Sequence, residues 1–231
     1  MRHYFDTQFV EGQHRPLFGK KRHFIDIISI GIVSADGKEY SAISKEYNYN
    51  DADGWVKENV IHPLYEKTVP TLTKQWIFPD NFQLYYGKPN KEIANEIFRF
   101  ICPEEKASEF ADMDSLGVGA RYYLLSDPPI FVGYYSDYDW VLFCSLFGTI
   151  LDLPDTYPKY CIDLKQTLDE KAINIFNFCT GGVDYFENLN FEEKLNFIKK
   201  NHPLYPKQLN EYDSLDGARF ISKLDNFLKN Y

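Results

Sequence analysis

The sequence predicts an α/β fold in which a mixed β-sheet, opened by an antiparallel N-terminal meander, is flanked by helices. Three observations carry this. The first 45 residues read as strands, and the run "IISIGIV" (27–33) is almost wholly apolar, as a strand covered on both faces must be. Residues 90–102 carry apolar side chains at helical spacing. One more apolar strand, "PIFVGYY" (129–135), then precedes a run of helices. A meander, helices, a further strand and more helices make an α/β layout.

The elements follow in order. "HYFDTQFV" (3–10) is the first strand, and "EGQHRPLFGKKRH" (11–23) reads as a basic, glycine-bearing loop. "FIDIISIGIVSADGKEYSAIS" (24–44) supplies two strands about Asp36-Gly37, a strong hairpin-turn pair. "DADGWVKENVIHPL" (51–64) predicts a short helix capped by Asp51 or Asp53 and ended by Pro63. Residues 65–89 read as irregular, and "NKEIANEIFRFIC" (90–102) as a helix with Ile93, Ile97, Phe98 and Ile101 on one face. Residues 103–128 are poorly patterned; their "GVGAR" (117–121) lacks the strand-to-helix setting of a phosphate loop. "SDYDWVLFCSLFG" (136–148) is a helix ending at Gly148, with Asp137 expected as its cap. Three further helices are expected in "CIDLKQTLDEKA", "NFEEKLNFIKKN" and "LDGARFISKLDNFLKN". The length of 231 residues suits a single domain, 1–231, with an insertion at about 65–128.

Composition narrows the function. The net charge of -9 gives a field that repels nucleic acid, which counts against a protein that coats DNA or RNA. It counts less against a nuclease, because a metal site itself needs clustered carboxylates. Cys102, Cys144, Cys161 and Cys179 show no paired spacing and read as reduced, packed thiols. No apolar run approaches the roughly 20 residues that span a bilayer, and the N-terminus carries an acid inside its first apolar stretch. The expectation is a cytoplasmic protein with no membrane partner. Aromatics make up 17% of the chain, so rings not needed inside are candidates for stacking on bases. Trp55, Trp76 and Trp140 read as core, with Trp76 the one placed to line a cleft.

Three motifs could carry chemistry. Residues i and i+2 of a strand share a face, so Asp6 and Gln8 lie side by side while Thr7 points away. Asp137 and Asp139 fall in the first turn of a helix, where the exposed amides favour carboxylates; capping explains Asp137 and leaves Asp139 free to face a cleft. Tyr212 and Asp216 are four apart and share a face if both are helical. Each has a plainer reading: polar alternation on an edge strand, an ordinary cap, and a solvated helix residue behind an Asp213 cap.

Together the three resemble the DEDD 3′–5′ exonucleases of the ribonuclease H-like superfamily. "YFDTQFVEG", "IDIISIGIVSADGKEYSAIS", "GWVKENVI", "YDWVLFCSLFG" and "CIDLKQ" are similar to the small bacterial exoribonuclease family related to RNase T, first described in mycobacteria. The likeness runs from residue 2 to about 170, resumes at 210, and is loose across 65–128. The resemblance implies a ribonuclease H-like fold and two Mg²⁺ or Mn²⁺ ions per site. Asp6 would bridge the ions, Asp139 and Asp216 would complete them, and Tyr212 would contact the attacking water. Thr7 and Phe9 would meet the 3′-terminal nucleotide, and the products would be nucleoside 5′-monophosphates.

The basic run Lys20, Lys21, Arg22 and His23 is by default a solvated hairpin tip; contact of Lys21 and Arg22 with substrate phosphates is the sharper reading. The expected partner is single-stranded nucleic acid, RNA ahead of DNA, with short or cyclic oligonucleotides a further option. Many members of the superfamily are symmetric dimers, which implies a homodimer. The Tyr, Asn and Lys usage would fit a phage or mobile element.

Two positions depart from the family pattern. Its second acid is Glu, and Gln8 stands there; its amide can still offer one neutral oxygen to a metal, but it removes one negative charge from a site meant for two dications. Aligned on Ala218-Arg219, the family's His falls at Tyr212 and its last Asp at Gly217. A shift by one residue brings Asp216 into play, and His202 is an alternative source of the imidazole. An isosteric inactivating change and natural degeneration both account for Gln8, so a weakened enzyme stands beside a degenerate nuclease-fold protein that binds nucleic-acid ends or a protein.

Overall fold

The computed structural model describes residues 1–14, 20–101, 128–181 and 188–231. Five strands form one mixed sheet in the order β3-β2-β1-β4-β5. β1 (Arg2–His14), β2 (Arg22–Ser34) and β3 (Glu39–Ile43) make the antiparallel meander. β4 (Ile130–Gly133) pairs parallel to β1, and β5 (Ile162–Asp163) parallel to β4. The β2–β3 turn falls at Asp36-Gly37 as expected, with Gly37 at φ 87°, a backbone state glycine adopts without a Cβ penalty.

Residues 11–14 and 22–23 are strand rather than loop. The β1–β2 ladder runs on from Glu11↔Ile25 to His14↔Arg22, because cross-strand pairing outweighs the glycine and polar composition of that stretch. The register slips once: Gln8 faces Ser29 and Phe9 faces Ile27, so Ile28 is the extra residue of a β-bulge.

Helix α1 spans residues 54–68 and is capped by Asp53, whose side chain accepts from the Val56 amide at 2.8 Å. Pro63 does not end it. A π turn over Lys57–Ile61 precedes the proline, and the His62 amide reaches back to the Lys57 carbonyl, so the widened turn absorbs the missing donor. The helix stops before Pro70, where Val69 is extended as a residue before proline prefers. A single helical turn, Gln83–Tyr86, lies in the stretch read as irregular.

α2 (Asn90–Ile101) matches its expected span. α3 (Asp137–Phe147) ends at Gly148, but Asp137 is its first helical residue and Ser136 holds the cap position. α4 (Leu164–Thr180) runs about two turns beyond its expected segment. α5 (Phe191–Asn201) and α6 (Ser214–Leu228) complete the described helices, none of which is long and apolar enough to cross a membrane.

Alternation along β1 divides the core. Phe5 packs with Ile30 and Ile32 against Ile93 and Ile97 of α2 and Leu142 and Phe143 of α3. Tyr4 faces the other way, with Val132, against Leu168 and Ile175 of α4, Leu195 of α5 and Leu224 of α6. The bulged Ile28 joins Val10 beneath Val60 and Ile61 of α1. α2, although part of the proposed insertion, thus supplies fully buried core. Cys102, "GVGAR" and the rest of 102–127 lie outside the described residues. Cys144, Cys161 and Cys179 are free thiols, as expected. Trp140 packs on the core, whereas Trp55 and Trp76 are 53% and 74% exposed, correcting their assignment to the interior.

Candidate functional site

Asp6 shares a sheet face with Tyr4 and so looks toward α6. Its partner across the ladder is Gly31. A Cβ on Gly31 would stand 2.4 Å from the Leu215 Cα and backbone amide nitrogen, so only glycine lets the start of α6 lie this close to the sheet. Ser29 and Ser214 hydroxyls meet 3.1 Å apart at the same crossing. Asp213 caps the helix through the Leu215 and Asp216 amides, both at 3.1 Å, and forms an ion pair with Lys67 of α1.

This docking decides which residue of α6 meets Asp6. It is Gly217: a Cβ there would lie 2.2 Å from Asp6 Oδ2. Asp216, one residue and about 100° earlier, instead pairs with Arg219 at 2.6 Å, and Arg219 also grips Glu39 with two contacts of 2.7 Å. Tyr212 precedes the Asp213 cap, so it and Asp216 do not share a helix face. Tyr212 still lines the cleft above Asp6, and its ring meets the exposed Trp55 ring edge-on at 5.0 Å. No local pattern singles out Trp55, because its exposure and its contact with Tyr212 depend on how distant segments pack.

Gln8 lies beside Asp6, with its Nε2 3.3 Å from Asp6 Oδ2. Thr7 faces the opposite layer and is buried; its amide donates to Asp139 Oδ1 at 2.9 Å, and its hydroxyl donates to the same oxygen. Phe9 packs edge-on against Tyr138 with ring centroids 5.6 Å apart. Lys21 and Arg22 stand at the far end of the β1–β2 hairpin, eight ladder positions from Asp6↔Gly31, or roughly 25 Å along the strand. They are not brought to Asp6. Nor is His202, which is buried, with Nε2 2.5 Å from the Tyr231 hydroxyl and Nδ1 accepting from the Leu204 amide at 3.1 Å. It pins the C-terminus.

The cleft over Asp6 has a volume of about 450 Å³ and is walled by Tyr134, Tyr205, Phe220 and Tyr212, with Lys199, Gln208 and Glu211 as its other polar side chains. Burial and then the nearby Asp139 carboxyl push Asp6 well above the usual carboxylate range. Burial likewise pushes Asp139 up to about 6, against the pull of the Thr7 hydrogen bonds.

Two Mg²⁺ or Mn²⁺ ions need several convergent carboxylate oxygens. Among the described residues no three His, Cys, Asp or Glu side chains are grouped so that they could hold a metal ion. Gln8 is neutral, Gly217 offers no oxygen, and Asp216 is turned to Arg219. The residues present do not fit a two-ion site.

Asp139 gives a direct test of the local electrostatics. Its raised pKa means that the stability it contributes is full below pH 4 and is lost as pH rises through about 6. Asp139→Asn keeps the acceptor for Thr7 and removes the buried charge. The variant is expected to match the native chain at pH 4 and to be more stable at pH 7.5 by up to about 3 kcal/mol. Urea unfolding at both pH values measures the gap; a gap that does not change with pH sinks the assignment.

No family model matches the chain. A 3′–5′ exoribonuclease of Mycobacterium tuberculosis, found in two strains, is 27% identical to it over 172 residues, which cover 74% of this chain and 76% of the relative. The chain therefore resembles the 3′–5′ exoribonucleases, and the likeness supports a nuclease function.

Proposed function

We propose that this chain is an exoribonuclease-type protein of ribonuclease H-like architecture that receives the 3′ end of single-stranded RNA over Asp6, with hydrolysis of the terminal phosphodiester weakened by its depleted set of acids. The sheet order β3-β2-β1-β4-β5, with β2 antiparallel to its neighbours, supports the architecture. The observation that carries the reading is Asp6 itself, set beneath an aromatic cleft with the Asp139 carboxyl close by. Rings such as Tyr212 and Trp55 at the cleft stack on bases of any sequence, which suits a single strand. The acidic chain offers a duplex no long electrostatic track.

A second reading has its own support. Gly217 stands against Asp6 where a further carboxylate would be needed, which favours a protein that holds strand ends and turns over nothing.

Shortening of 5′-labelled and 3′-labelled single-stranded RNA and DNA in Mn²⁺ separates the two. Gln8→Glu is expected to trim RNA stepwise from the 3′ end at least about tenfold faster than the native chain, which corresponds to about 1.4 kcal/mol of barrier. DNA should be trimmed more slowly than RNA. If neither form trims any strand although both bind RNA, hydrolysis is removed from the proposal and the binding protein remains.

A further inference from the structure

We infer that this chain holds the RNA end without a divalent cation, through Lys199, Gln208 and the Tyr212 hydroxyl. The inference rests on the RNA-end reading above. Its ground is how the acids expected to hold a cation are already engaged. Asp139 Oδ1 already accepts from both the amide and the hydroxyl of Thr7. Asp216 is held by Arg219 at 2.6 Å, and Arg219 is itself anchored on Glu39. Gln8 brings an amide rather than a charge to Asp6. Gly217 brings no oxygen to Asp6 and lies so near that an added Cβ would stand 2.2 Å from Asp6 Oδ2. What is left is Asp6, the second oxygen of Asp139 and Glu211 at the cleft, and among the described residues no three such acids are grouped to hold an ion, so Mg²⁺ or Mn²⁺ is held weakly.

The cleft supplies another way to hold a phosphate. Lys199 lines it, is exposed, and has no carboxylate partner among the described residues. An ammonium free to reach the backbone phosphate makes a charge-assisted hydrogen bond that replaces one contact of a bridging ion. Gln208 and Tyr212 add neutral donors at the same cleft, and the Trp55–Tyr212 pair offers a stacking face for the terminal bases. The ligand is a single-stranded RNA terminus, bound by base stacking and one cationic side chain.

The test is fluorescence anisotropy of a 5′-labelled single-stranded hexaribonucleotide with a free 3′-hydroxyl, in Mg²⁺ and again in excess EDTA. The native chain is expected to bind with the same Kd in both, within about twofold, and Lys199→Ala to weaken binding about tenfold in both, as loss of a charge-assisted contact does. A Mn²⁺ titration of the native chain followed by electron paramagnetic resonance is expected to show no stoichiometric uptake, with Gln8→Glu gaining it. Binding that disappears in EDTA, or stoichiometric Mn²⁺ uptake by the native chain, overturns the inference and leaves the RNA-end reading standing. Absence of RNA binding in both buffers removes the RNA-end reading, and the inference with it.

Discussion

Gly31→Ala is expected to unseat α6 from the sheet and to cost about 3 kcal/mol, the upper end of what overpacking a close contact does. The added methyl would meet the Leu215 Cα and amide nitrogen and the Ser214 carbonyl carbon, all at 2.4 Å. These are backbone atoms of a capped first turn, so no rotamer change relieves the clash; the helix must move. α6 buries Ala218, Phe220, Ile221, Leu224, Phe227 and Leu228, and its displacement opens that layer as well. It also carries Gly217 and Tyr212 away from Asp6, so RNA affinity should fall together with the denaturation midpoint. An alanine variant that unfolds at the native denaturant concentration would show that α6 does not need this approach.

The other end of the same helix carries the second large effect. The Asp225 carboxylate is buried and receives Arg2 Nη1, the Tyr4 hydroxyl and Lys229 Nζ, each at 2.7 Å. It ties the first strand to the last helix. Asp225→Ala leaves the buried Tyr4 hydroxyl without an acceptor and two cations without a counter-charge. Breaking a fully buried set costs about 3–5 kcal/mol. Arg2 and Lys229 are 32% and 51% exposed at their side chains, so water takes up part of the loss, and about 3 kcal/mol is expected. Asp225→Asn keeps the bond to Tyr4 and should lose less than half as much. Thermal and urea unfolding of the two variants decide the matter; equal losses from Ala and Asn would mean that charge, not the Tyr4 hydrogen bond, holds the junction.

The two contacts bracket α6 and thereby set the cleft, and both join residues from the two ends of the chain. That separation marks where reading the sequence stops. Elements whose apolar pattern is local were legible. "IISIGIV" lies within β2, Ile93, Ile97 and Ile101 face inward along α2, and α6 covers the expected segment. β5 was not legible, because two residues paired to β4 carry no period of their own. The reach of α1 through Pro63 was hidden as well, since a π turn answers to packing more than to propensity.

The candidate site divides the same way. That Asp6 and Gln8 point together follows from strand geometry alone, and the bond between them bears it out. The assignment of Asp216 turned on a rotation of one residue, about 100°, which spacing within the helix cannot supply. Only the seating of α6 on Gly31 chooses between 216 and 217, and it presents Gly217 to Asp6. Lys21 and Arg22 fall beside the first strand's acid only if 11–23 is a loop. The extended ladder places them at the distal tip.

By itself, then, the sequence determined the meander, the inward faces of the helices and the pairing of Asp6 with Gln8, since each depends on a period of two or 3.6 residues along one segment. The tertiary structure alone decided that Thr7 binds Asp139, that Trp55 meets Tyr212, and that a glycine rather than an acid faces Asp6. Those outcomes depend on the depth and rotation at which separate elements pack, and that is a property of the assembled layers rather than of any one stretch of chain.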